Sequence, residues 1–289
     1  MNSESPSLGR KIVYADRRNE ECVDRDISLV TYNILADFYL QPARTKGNYK
    51  RCPKEYAARH QDKDCLRHKL LFTEFQWLDA DIVCLQEVDP PYFNDILKGE
   101  MSLLGYQGLF AQKDKSTGRL EGIALFYKHE KFDLQEARKM IINEIADEIM
   151  PQAECREFGE VVILATLRDK ITKTLLVIGN THILWGDLLK PVTQACEIAL
   201  VTQALRDKVA SLKLQGESVA YILCGDFNID PPYPAYELLN RGKLDEEHFS
   251  KLQTVDYLKF PKDFIKPQQV QLPQVLTFQN SALLCDHVR

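Results

Sequence analysis

Residues 221–228, with the sequence YILCGDFN, form a short apolar run that ends directly at polar residues. Runs of this length, without polar alternation, are typical of strands that are buried on both faces. The same pattern recurs at residues 27–33 (ISLVTYN), 82–87 (IVCLQE) and 175–182 (LLVIGNTH), and a further apolar run lies at 123–127 (IALFY). The sequence therefore predicts a sheet of buried strands that end at polar side chains.

Helical patterns lie between these predicted strands. Apolar residues repeat at helical spacing at Leu71, Phe75 and Leu78, and again along the stretch that follows Pro191, where they are Ile198, Val201, Leu205, Val209 and Leu212. Residues 161–168 and 174–180 flank a polar turn, which predicts a hairpin. Strands that alternate with helices indicate an α/β fold, and the hairpin makes the sheet mixed.

Composition and charge exclude several classes of protein. The chain has 289 residues, of which 45% are hydrophobic and 27% are charged, so it is not a disordered chain. No apolar run reaches the roughly 18 residues of a membrane span. Residues 1–26 lack the apolar centre of a signal peptide, and we expect them to be a flexible leader. We expect a cytoplasmic location, with the nucleus and the mitochondrion left open.

The cysteines and the charges add two further expectations. None of the eight cysteines forms a CxxC pair, and Cys84 and Cys224 lie inside apolar runs, so we read the cysteines as reduced thiols. The net charge is −5, yet residues 44–69 hold nine Lys or Arg against three Asp or Glu. This basic segment is either a flank that contacts phosphates or a solvated surface.

Five polar residues follow the predicted strands directly: Asn33, Glu87, His182, Asp226 and Asn228. Sites in open α/β sheets lie beyond the carboxyl ends of the strands, so these side chains are expected to converge. Each of them alone is equally well explained as a helix cap or as a satisfied polar residue. The set of five together predicts one cleft.

The chemistry that suits these residues is cleavage of a phosphodiester. A carboxylate such as Glu87 can hold Mg²⁺, with Mn²⁺ as the alternative, and the metal would polarise the phosphoryl group. Asp226 can orient and deprotonate the attacking water, and His182 can donate a hydrogen bond to a phosphate oxygen. Asn33 and Asn228 can bind metal, water or phosphate without adding negative charge. The sequence has no cluster of His and Cys for zinc, no GxxxxGK[ST] loop and no GxGxxG motif.

Five motifs carry a resemblance to a known family: residues 31–36 (TYNILA), 84–89 (CLQEVD), 121–127 (EGIALFY), 180–182 (NTH) and 224–228 (CGDFN). In this order they resemble the endonuclease/exonuclease/phosphatase superfamily, and within it the deadenylase branch of nocturnin, the Angel proteins and 2′-phosphodiesterase. The resemblance is strongest over residues 27–244. It makes residues 27–289 one domain, with 245–289 as a divergent or truncated tail.

The resemblance implies a four-layer α/β/β/α sandwich of two stacked mixed sheets, DNase I-like, and incomplete at its C-terminus. It implies that Glu87 is the metal carboxylate with Asn33 beside it. It further implies that His182 contacts phosphate, that Asp226 orients the nucleophile, and that Asn228 assists as a metal or phosphate partner. The implied substrate is RNA, as poly(A) or oligoadenylate, with no membrane and with protein partners unknown.

Three further residues are candidates for the substrate side. Gly122 matches a family glycine that lets the backbone approach the substrate, and Glu121 stands where the family usually has aspartate. Trp185, three residues after His182, is either a base-stacking residue or a core aromatic.

The sequence departs from the family pattern near its end. Family members close with a Ser-Asp-His motif, of which Asp286 and His287 are an echo that only two residues follow. Either Asp286 and His287 complete the catalytic set, or the match is a coincidence and the chain is weakly active. Three functions stay open at this point: a Mg²⁺-dependent 3′ exoribonuclease of the deadenylase type, a phosphodiesterase for 2′-5′ oligoadenylates or nucleotides, and a catalytically impaired module that binds RNA or a partner.

Overall fold

The first sheet carries three of the predicted site residues, Asn33, Glu87 and Gly122. The structure, a computed structural model, describes residues 27–40, 64–149, 159–185, 191–231 and 233–254. Within these ranges the first sheet has the strands β1 (Leu29–Asn33), β2 (Ile82–Val88), β3 (Tyr106–Gln112) and β4 (Gly122–Lys128), in the order β1-β2-β4-β3. β1 and β2 are parallel and the other pairs are antiparallel.

The second sheet carries two further predicted site residues, His182 and Asp226, at the ends of two of its strands. Its described strands are β5 (Phe132–Ile141), β6 (Val161–Asp169), β7 (Leu175–His182) and β8 (Val219–Asp226), in sequence order across the sheet. β6 and β7 are antiparallel, with Arg168 opposite Leu175, which confirms the predicted hairpin. β7 and β8 are parallel, so both sheets are mixed.

The helices lie on the outer faces of the two sheets. After β1 comes α1 (Asp37–Leu40), and the first sheet is covered by α2 (Leu66–Leu78), α3 (Pro90–Tyr92) and α4 (Lys98–Leu103), the last two joined by a π-helical turn, Phe93–Leu97. A short 3₁₀ turn, Lys115–Thr117, follows β3. The second sheet is covered by α5 (Ile142–Ile149), α6 (Pro191–Leu214), α7 (Pro234–Arg241) and α8 (Glu246–Thr254). Within the described ranges, no helix has the length and apolar character needed to cross a membrane.

Three apolar clusters hold these layers together. The one between the sheets includes Ile82 and Leu125 from the first sheet and Ile163 and Ile178 from the second, all fully buried. A second joins α2, α3 and α4 to the first sheet, and a third joins α5 and α6 to the second. β2, β4 and β7 are buried on both faces, which explains why their apolar runs do not alternate. β1 and β8 are only half-buried, and Ile222 of β8 is 38% exposed, so the prediction that they are buried on both faces is wrong. Each of them is the last described strand at one side of its sheet, where no further described strand covers it. The predicted four-layer α/β/β/α sandwich with two mixed sheets is confirmed.

Two local features differ from the expectation. β2 does not end before Gln86 but continues to Val88, and its pairing with β4 shifts register between Gln86 and Val88. Beyond residue 244, where helical periodicity is weak, α8 forms and buries Leu252 against the third cluster. Residues 1–26 and the tail beyond 254, including Asp286 and His287, lie outside the described residues.

Candidate active site

The five residues that follow the predicted strands come together at one end of the sandwich. Asn33 ends β1, His182 ends β7 and Asp226 ends β8, and β1 packs against β8 where the two sheets meet. Glu87 lies within β2 at the register shift, and Asn228 lies two residues beyond β8. Parallel pairing of β1 with β2 and of β7 with β8 brings these carboxyl ends to the same edge.

A β-bulge directs Glu87 into this cluster. Its φ is +56°, in the left-handed region, and the adjoining Val88 pairs with Gly122 of β4. In a regular strand, Glu87 would point to the face opposite that of its neighbour Gln86, and the bulge re-aims the side chain. The Glu87 carboxylate accepts hydrogen bonds from Asn33 Nδ2 at 2.8 Å and from the Ala36 amide at 3.1 Å. Burial raises the pKa of Glu87, and these two hydrogen bonds partly offset that effect.

The side-chain amide of Asn33 bridges two carboxylates. Its Nδ2 donates to Glu87 Oε1 at 2.8 Å and to Asp226 Oδ2 at 2.9 Å. Its Oδ1 accepts from the Leu35 amide at 2.9 Å, which fixes the orientation of the side chain. The other oxygen of Asp226 accepts from the Asn228 amide at 3.1 Å. One neutral residue thereby holds two carboxylates at the rim of the cleft.

His182 lies directly beneath this rim. It pairs with Asp226 across β7 and β8, and its Nε2 is 3.9 Å from Asp226 Oδ2 and 3.0 Å from Asn228 Nδ2. The side chain is 3% exposed. Burial, and then the positive charges of Lys113 and Arg119, hold the pKa of His182 well below its usual value. The histidine is therefore neutral at physiological pH.

The three substrate-side candidates occupy different environments. Glu121 is fully buried, where it accepts a hydrogen bond from the Tyr39 hydroxyl at 2.6 Å and pairs with Lys113 at 3.1 Å. A Cβ atom at Gly122 would lie 2.1 Å from the Ala111 carbonyl oxygen, so the close approach here is between β3 and β4. Trp185 is 71% exposed, just beyond β7.

A buried ionic cluster behind the cleft was not anticipated from the sequence. Lys113 pairs with Glu121 and, at 2.6 Å, with Glu160, which also pairs with Arg119. Glu197 of α6 is fully buried and accepts from the Leu184 amide at 2.8 Å. Burial, and then the charge of Glu160, hold the pKa of Glu197 well above its usual value. Glu197 lies on the same apolar face of the helix as Val201 and Leu205. An acidic residue on an apolar face is the sequence signal from which its burial could have been predicted.

The basic segment is only partly described. Of its nine basic residues, Arg67 and Lys69 lie in α2, and residues 44–63 are outside the described ranges. Lys69 pairs with Asp64 at the surface, whereas the Arg67 side chain is 12% exposed and turned inward. Arg67 therefore does not belong to a phosphate-contacting surface.

The donor atoms at the rim suit a hard divalent cation. The described residues contain no group of three or more His, Cys, Asp and Glu that could hold a metal. Mg²⁺ does not require such a group, because it takes one or two carboxylates and keeps several waters. Glu87 provides a carboxylate of this kind, with the Asp226 carboxylate held near it through Asn33 and no soft ligand in the set, so the carboxylates fit Mg²⁺ or Mn²⁺. Asn33 faces both carboxylates with its nitrogen, and its oxygen accepts from the Leu35 amide.

Comparisons with known proteins agree with this geometry. The chain is 24% identical over 295 residues to the Ccr4-Not complex 3′-5′-exoribonuclease subunit Ccr4 of Phaeosphaeria nodorum, covering 83% of this chain and 47% of that protein. It is 29% identical over 237 residues to mouse protein angel homolog 2 and 27% identical over 243 residues to mouse 2′,5′-phosphodiesterase 12. Each match covers 78% of this chain, and they cover 40% and 37% of those proteins, so the chain spans less than half the length of these relatives.

Solved structures share the fold. A structure of ANGEL2, described as a 2′,3′-cyclic phosphatase, superposes with a TM-score of 0.68 at 21% identity, covering 85% of this chain and 64% of that one. The human Nocturnin catalytic domain gives a TM-score of 0.56 at 22% identity, covering 81% and 76%. These relatives belong to the deadenylase branch that the five motifs resemble. The model of the Endonuclease/Exonuclease/phosphatase family matches residues 30–280, a range that covers both sheets apart from the first residue of β1. The chain therefore belongs to that family.

Proposed function

We propose that the chain is a divalent-metal-dependent phosphodiesterase, and specifically a 3′ exoribonuclease of the deadenylase type that acts on poly(A) RNA. The observation that carries the proposal is the Asn33 amide, which ties Glu87 to Asp226 with hydrogen bonds of 2.8 and 2.9 Å. A metal carboxylate and a base for water are thereby held side by side. The matched Ccr4, whose name describes a 3′-5′ exoribonuclease, supports the substrate class.

Glu87 is the residue that would hold the metal, and Asn33 presents its amide nitrogen to Glu87 and orients that carboxylate. When bound, Mg²⁺ supplies Lewis-acid polarisation of the phosphoryl group and shields charge on the leaving oxygen. Glu87 is prepared for this role because Asn33 and Ala36 donate to its two oxygens and fix its orientation. Mg²⁺ is our first choice and Mn²⁺ the alternative, since both prefer oxygen donors.

Asp226 is placed to orient the attacking water and to take its proton. The Asn33 and Asn228 donors occupy one site on each carboxylate oxygen, and each oxygen keeps lone-pair capacity for a water hydrogen. His182 is held under Asp226 as a neutral group, so it adds no charge to the site. Asn228 donates to both His182 and the Ile183 carbonyl and keeps the loop after β8 in place.

A second candidate is a phosphodiesterase for 2′-5′ oligoadenylates. Trp185, which is 71% exposed and follows the strand that ends at His182, offers this candidate a surface for binding a base. An exposed indole beside a phosphodiesterase site can stack on a base, whatever the linkage. The matched 2′,5′-phosphodiesterase 12 supports the same alternative.

The test uses purified protein and four labelled substrates: RNA with an oligo(A) tail, the same RNA with a mixed-sequence tail, 2′-5′ oligoadenylate, and RNA ending in a 2′,3′-cyclic phosphate. Each is incubated with Mg²⁺, with Mn²⁺ and with chelator. The proposal expects stepwise 3′ trimming of the oligo(A) substrate that needs metal and disappears in Glu87→Gln. Glu130→Gln, at an exposed carboxylate in the turn after β4, is the matched control.

The pattern of substrates decides among the candidates. Preference for the 2′-5′ linkage, with a raised KM in Trp185→Ala, establishes the second candidate. RNA binding without turnover under any metal condition, from folded protein, contradicts both enzymatic candidates and establishes a binding module instead.

A further inference from the structure

The turn between β1 and α1 supplies part of the environment of Glu87. The Ala36 amide donates to Glu87 Oε2 at 3.1 Å, and the Leu35 amide donates to Asn33 Oδ1 at 2.9 Å. The second bond fixes the Asn33 side chain whose nitrogen reaches Glu87 Oε1. Both protein donors on the metal carboxylate therefore depend on the backbone path of residues 34–36.

That backbone path is not one the sequence prefers. Leu35 has a φ of +59°, in the left-handed region, where its Cβ approaches the carbonyl oxygen. Residues other than glycine keep such a conformation only where the surroundings impose it. The turn therefore needs external contacts that hold it.

Arg67 provides these contacts from α2. Its Nη2 donates to the Ile34 carbonyl at 2.7 Å and also contacts the Leu35 carbonyl, while its Nη1 pairs with Asp37 Oδ1 at 3.1 Å. The Arg67 side chain is 12% exposed and that of Asp37 is 9% exposed, so the contacts are largely shielded from water. One planar guanidinium thus joins three oxygens on both sides of the left-handed residue.

Three further contacts fix α2 and the start of α1 in place beside this turn. His68, next to Arg67, has its Nδ1 2.9 Å from the Tyr92 hydroxyl and stacks on Phe72. The amide of Asp37 donates to Asp89 Oδ2 at 2.6 Å, two residues beyond Glu87 on the same chain segment. Arg67 is therefore held in place rather than free to follow the turn.

We propose that Arg67 is a positioning residue for the Glu87 carboxylate: it clamps residues 34–36 in the conformation that directs the Asn33 and Ala36 donors onto Glu87. The role of Glu87 as a metal ligand rests on the proposed function, whereas the clamp itself does not. Lysine cannot replace arginine here, because a single ammonium lacks the planar fork that reaches three acceptors.

The experiment compares wild type, Arg67→Ala and Arg67→Lys. Arg168→Ala is the matched control, since Arg168 makes a forked pair with Glu217 at 2.8 and 3.2 Å but lies at the far end of β6. Three readouts are taken: hydrogen exchange at the Ala36 amide, Mg²⁺ affinity by calorimetry, and kcat with KM on oligo(A) RNA. Exchange needs neither metal nor substrate.

We expect Arg67→Ala to exchange the Ala36 amide at least tenfold faster, to bind Mg²⁺ at least fivefold more weakly, and to lose kcat far more than KM changes. Millimolar guanidinium chloride should partly restore each property that Arg67→Ala has lost. The control Arg168→Ala should show none of these losses. Arg67→Lys should fall between wild type and Arg67→Ala, and it decides the question if Arg67→Ala does not fold.

Unchanged Ala36 exchange and Mg²⁺ affinity in a folded Arg67 variant overturn the clamp. A wild-type protein without phosphodiesterase activity contradicts the proposed function instead, and the exchange measurement still judges the clamp.

Discussion

The side-chain nitrogen of Asn228 lies 3.0 Å from Nε2 of His182 and determines which imidazole nitrogen carries the proton. The same nitrogen donates to the Ile183 carbonyl at 2.9 Å, so it is the amide donor and Nε2 must accept. His182 is then a neutral imidazole with its proton on Nδ1. It accepts from Asn228 but makes no hydrogen bond to Asp226, whose Oδ2 lies 3.9 Å from Nε2, and its Nδ1 is buried without a hydrogen-bond partner among the described residues. In this arrangement Nε2 has no proton to offer a phosphate oxygen, in contrast to the role predicted from the sequence.

A neutral buried histidine predicts that stability falls in acid. Burial lowers the folded-state pKa of His182, so the unfolded chain binds its proton first as the pH drops. The contribution is fully present above the unfolded pKa of about 6.5 and is lost below it, by up to about 1.4 kcal/mol per pH unit. When the pH is lowered from 7.5 to 5.5, the free energy of unfolding measured with urea should fall by at least about 1 kcal/mol more in wild type than in His182→Asn. The exposed control His129→Asn should follow wild type, and a His182→Asn curve parallel to wild type contradicts the prediction.

Glu197 predicts the opposite trend. Burial, and then the charge of Glu160, raise its folded-state pKa, so above the unfolded pKa of about 4.5 the folded state alone keeps the proton. Wild type should therefore lose stability relative to Glu197→Gln as the pH rises, until the folded pKa is passed. Glutamine still offers an oxygen to the Leu184 amide. Between pH 5 and pH 8, the free energy of unfolding of Glu197→Gln, measured by urea titration, should rise by at least about 1 kcal/mol relative to that of wild type. The same comparison for Glu130→Gln should show no change.

Lys113 predicts a large loss of stability on neutralisation. Its side chain is 2% exposed, and its ammonium lies 3.1 Å from Glu121 and 2.6 Å from Glu160, both fully buried. Lys113→Met leaves Glu121 without its ion-pair partner and Glu160 with Arg119 alone, which should lower the free energy of unfolding by about 3–5 kcal/mol. Lys170→Met removes a pair with Asp133 whose partners are 37% and 59% exposed, and it should cost less than about 1 kcal/mol. Equal losses in the two variants would show that the buried cluster is not an ionic unit.

The strands and their site residues could be predicted because each of these strands is an apolar run. This holds for the buried strands β2, β4, β6 and β7 and also for the half-buried β1 and β8. Asn33, His182 and Asp226 end their strands where the sequence places them. Glu87 was predicted to follow its strand, but it lies inside β2, because a bulge depends on the pairing with β4 and not on local sequence. β3 and β5 were not predicted, since their exposed and half-buried residues do not form an apolar run.

The buried ionic cluster escaped prediction for a different reason. A charged residue is predicted from sequence to be exposed, because charged residues are rarely buried unless they are paired. Only the tertiary structure shows which oppositely charged residue it pairs with. Lys113 and Glu160 are separated by 47 positions and meet only because β3 and β6 face each other across the sandwich. Arg67 was counted with the basic segment by composition, and its inward direction depends on how α2 packs.

The position of Gly225 leaves no room for a side chain, so we expect Gly225→Ala to disturb the site by displacing the backbone. Its φ is +147°, and a Cβ atom there would lie 2.0 Å from the Thr181 carbonyl oxygen. Gly225→Ala must therefore separate β8 from β7 next to Asp226, and it should cost more than about 2 kcal/mol of unfolding free energy. Gly99→Ala, in α4 with nothing within 4 Å of the added atom, should instead gain about 0.5–1 kcal/mol. Thermal or urea unfolding of both variants checks the pair, and a neutral Gly225→Ala refutes the steric account.

Asn33 predicts that one atom exchange abolishes activity while the fold survives. Asn33→Asp replaces the nitrogen that donates to Glu87 and Asp226 with an oxygen, so three carboxylates face one another and both hydrogen bonds are lost. Like charges at this distance repel, and a cooperating set loses most of its rate when one member is removed. On the proposed function, kcat on oligo(A) RNA should fall by at least about 100-fold.

The same variant should unfold more easily than wild type without metal and recover part of the difference in Mg²⁺, because a cation that binds only the folded state stabilises it. Asn94→Asp, at an exposed position between α3 and α4, controls for the added charge and should leave both activity and stability near wild type. Activity within threefold of wild type in Asn33→Asp would show that the bridge between Glu87 and Asp226 does not organise the site. If Mg²⁺ does not reduce the difference in stability between Asn33→Asp and wild type, the bridge is not part of a metal site. The added carboxylate would then repel Glu87 and Asp226 with no bound cation to offset the repulsion.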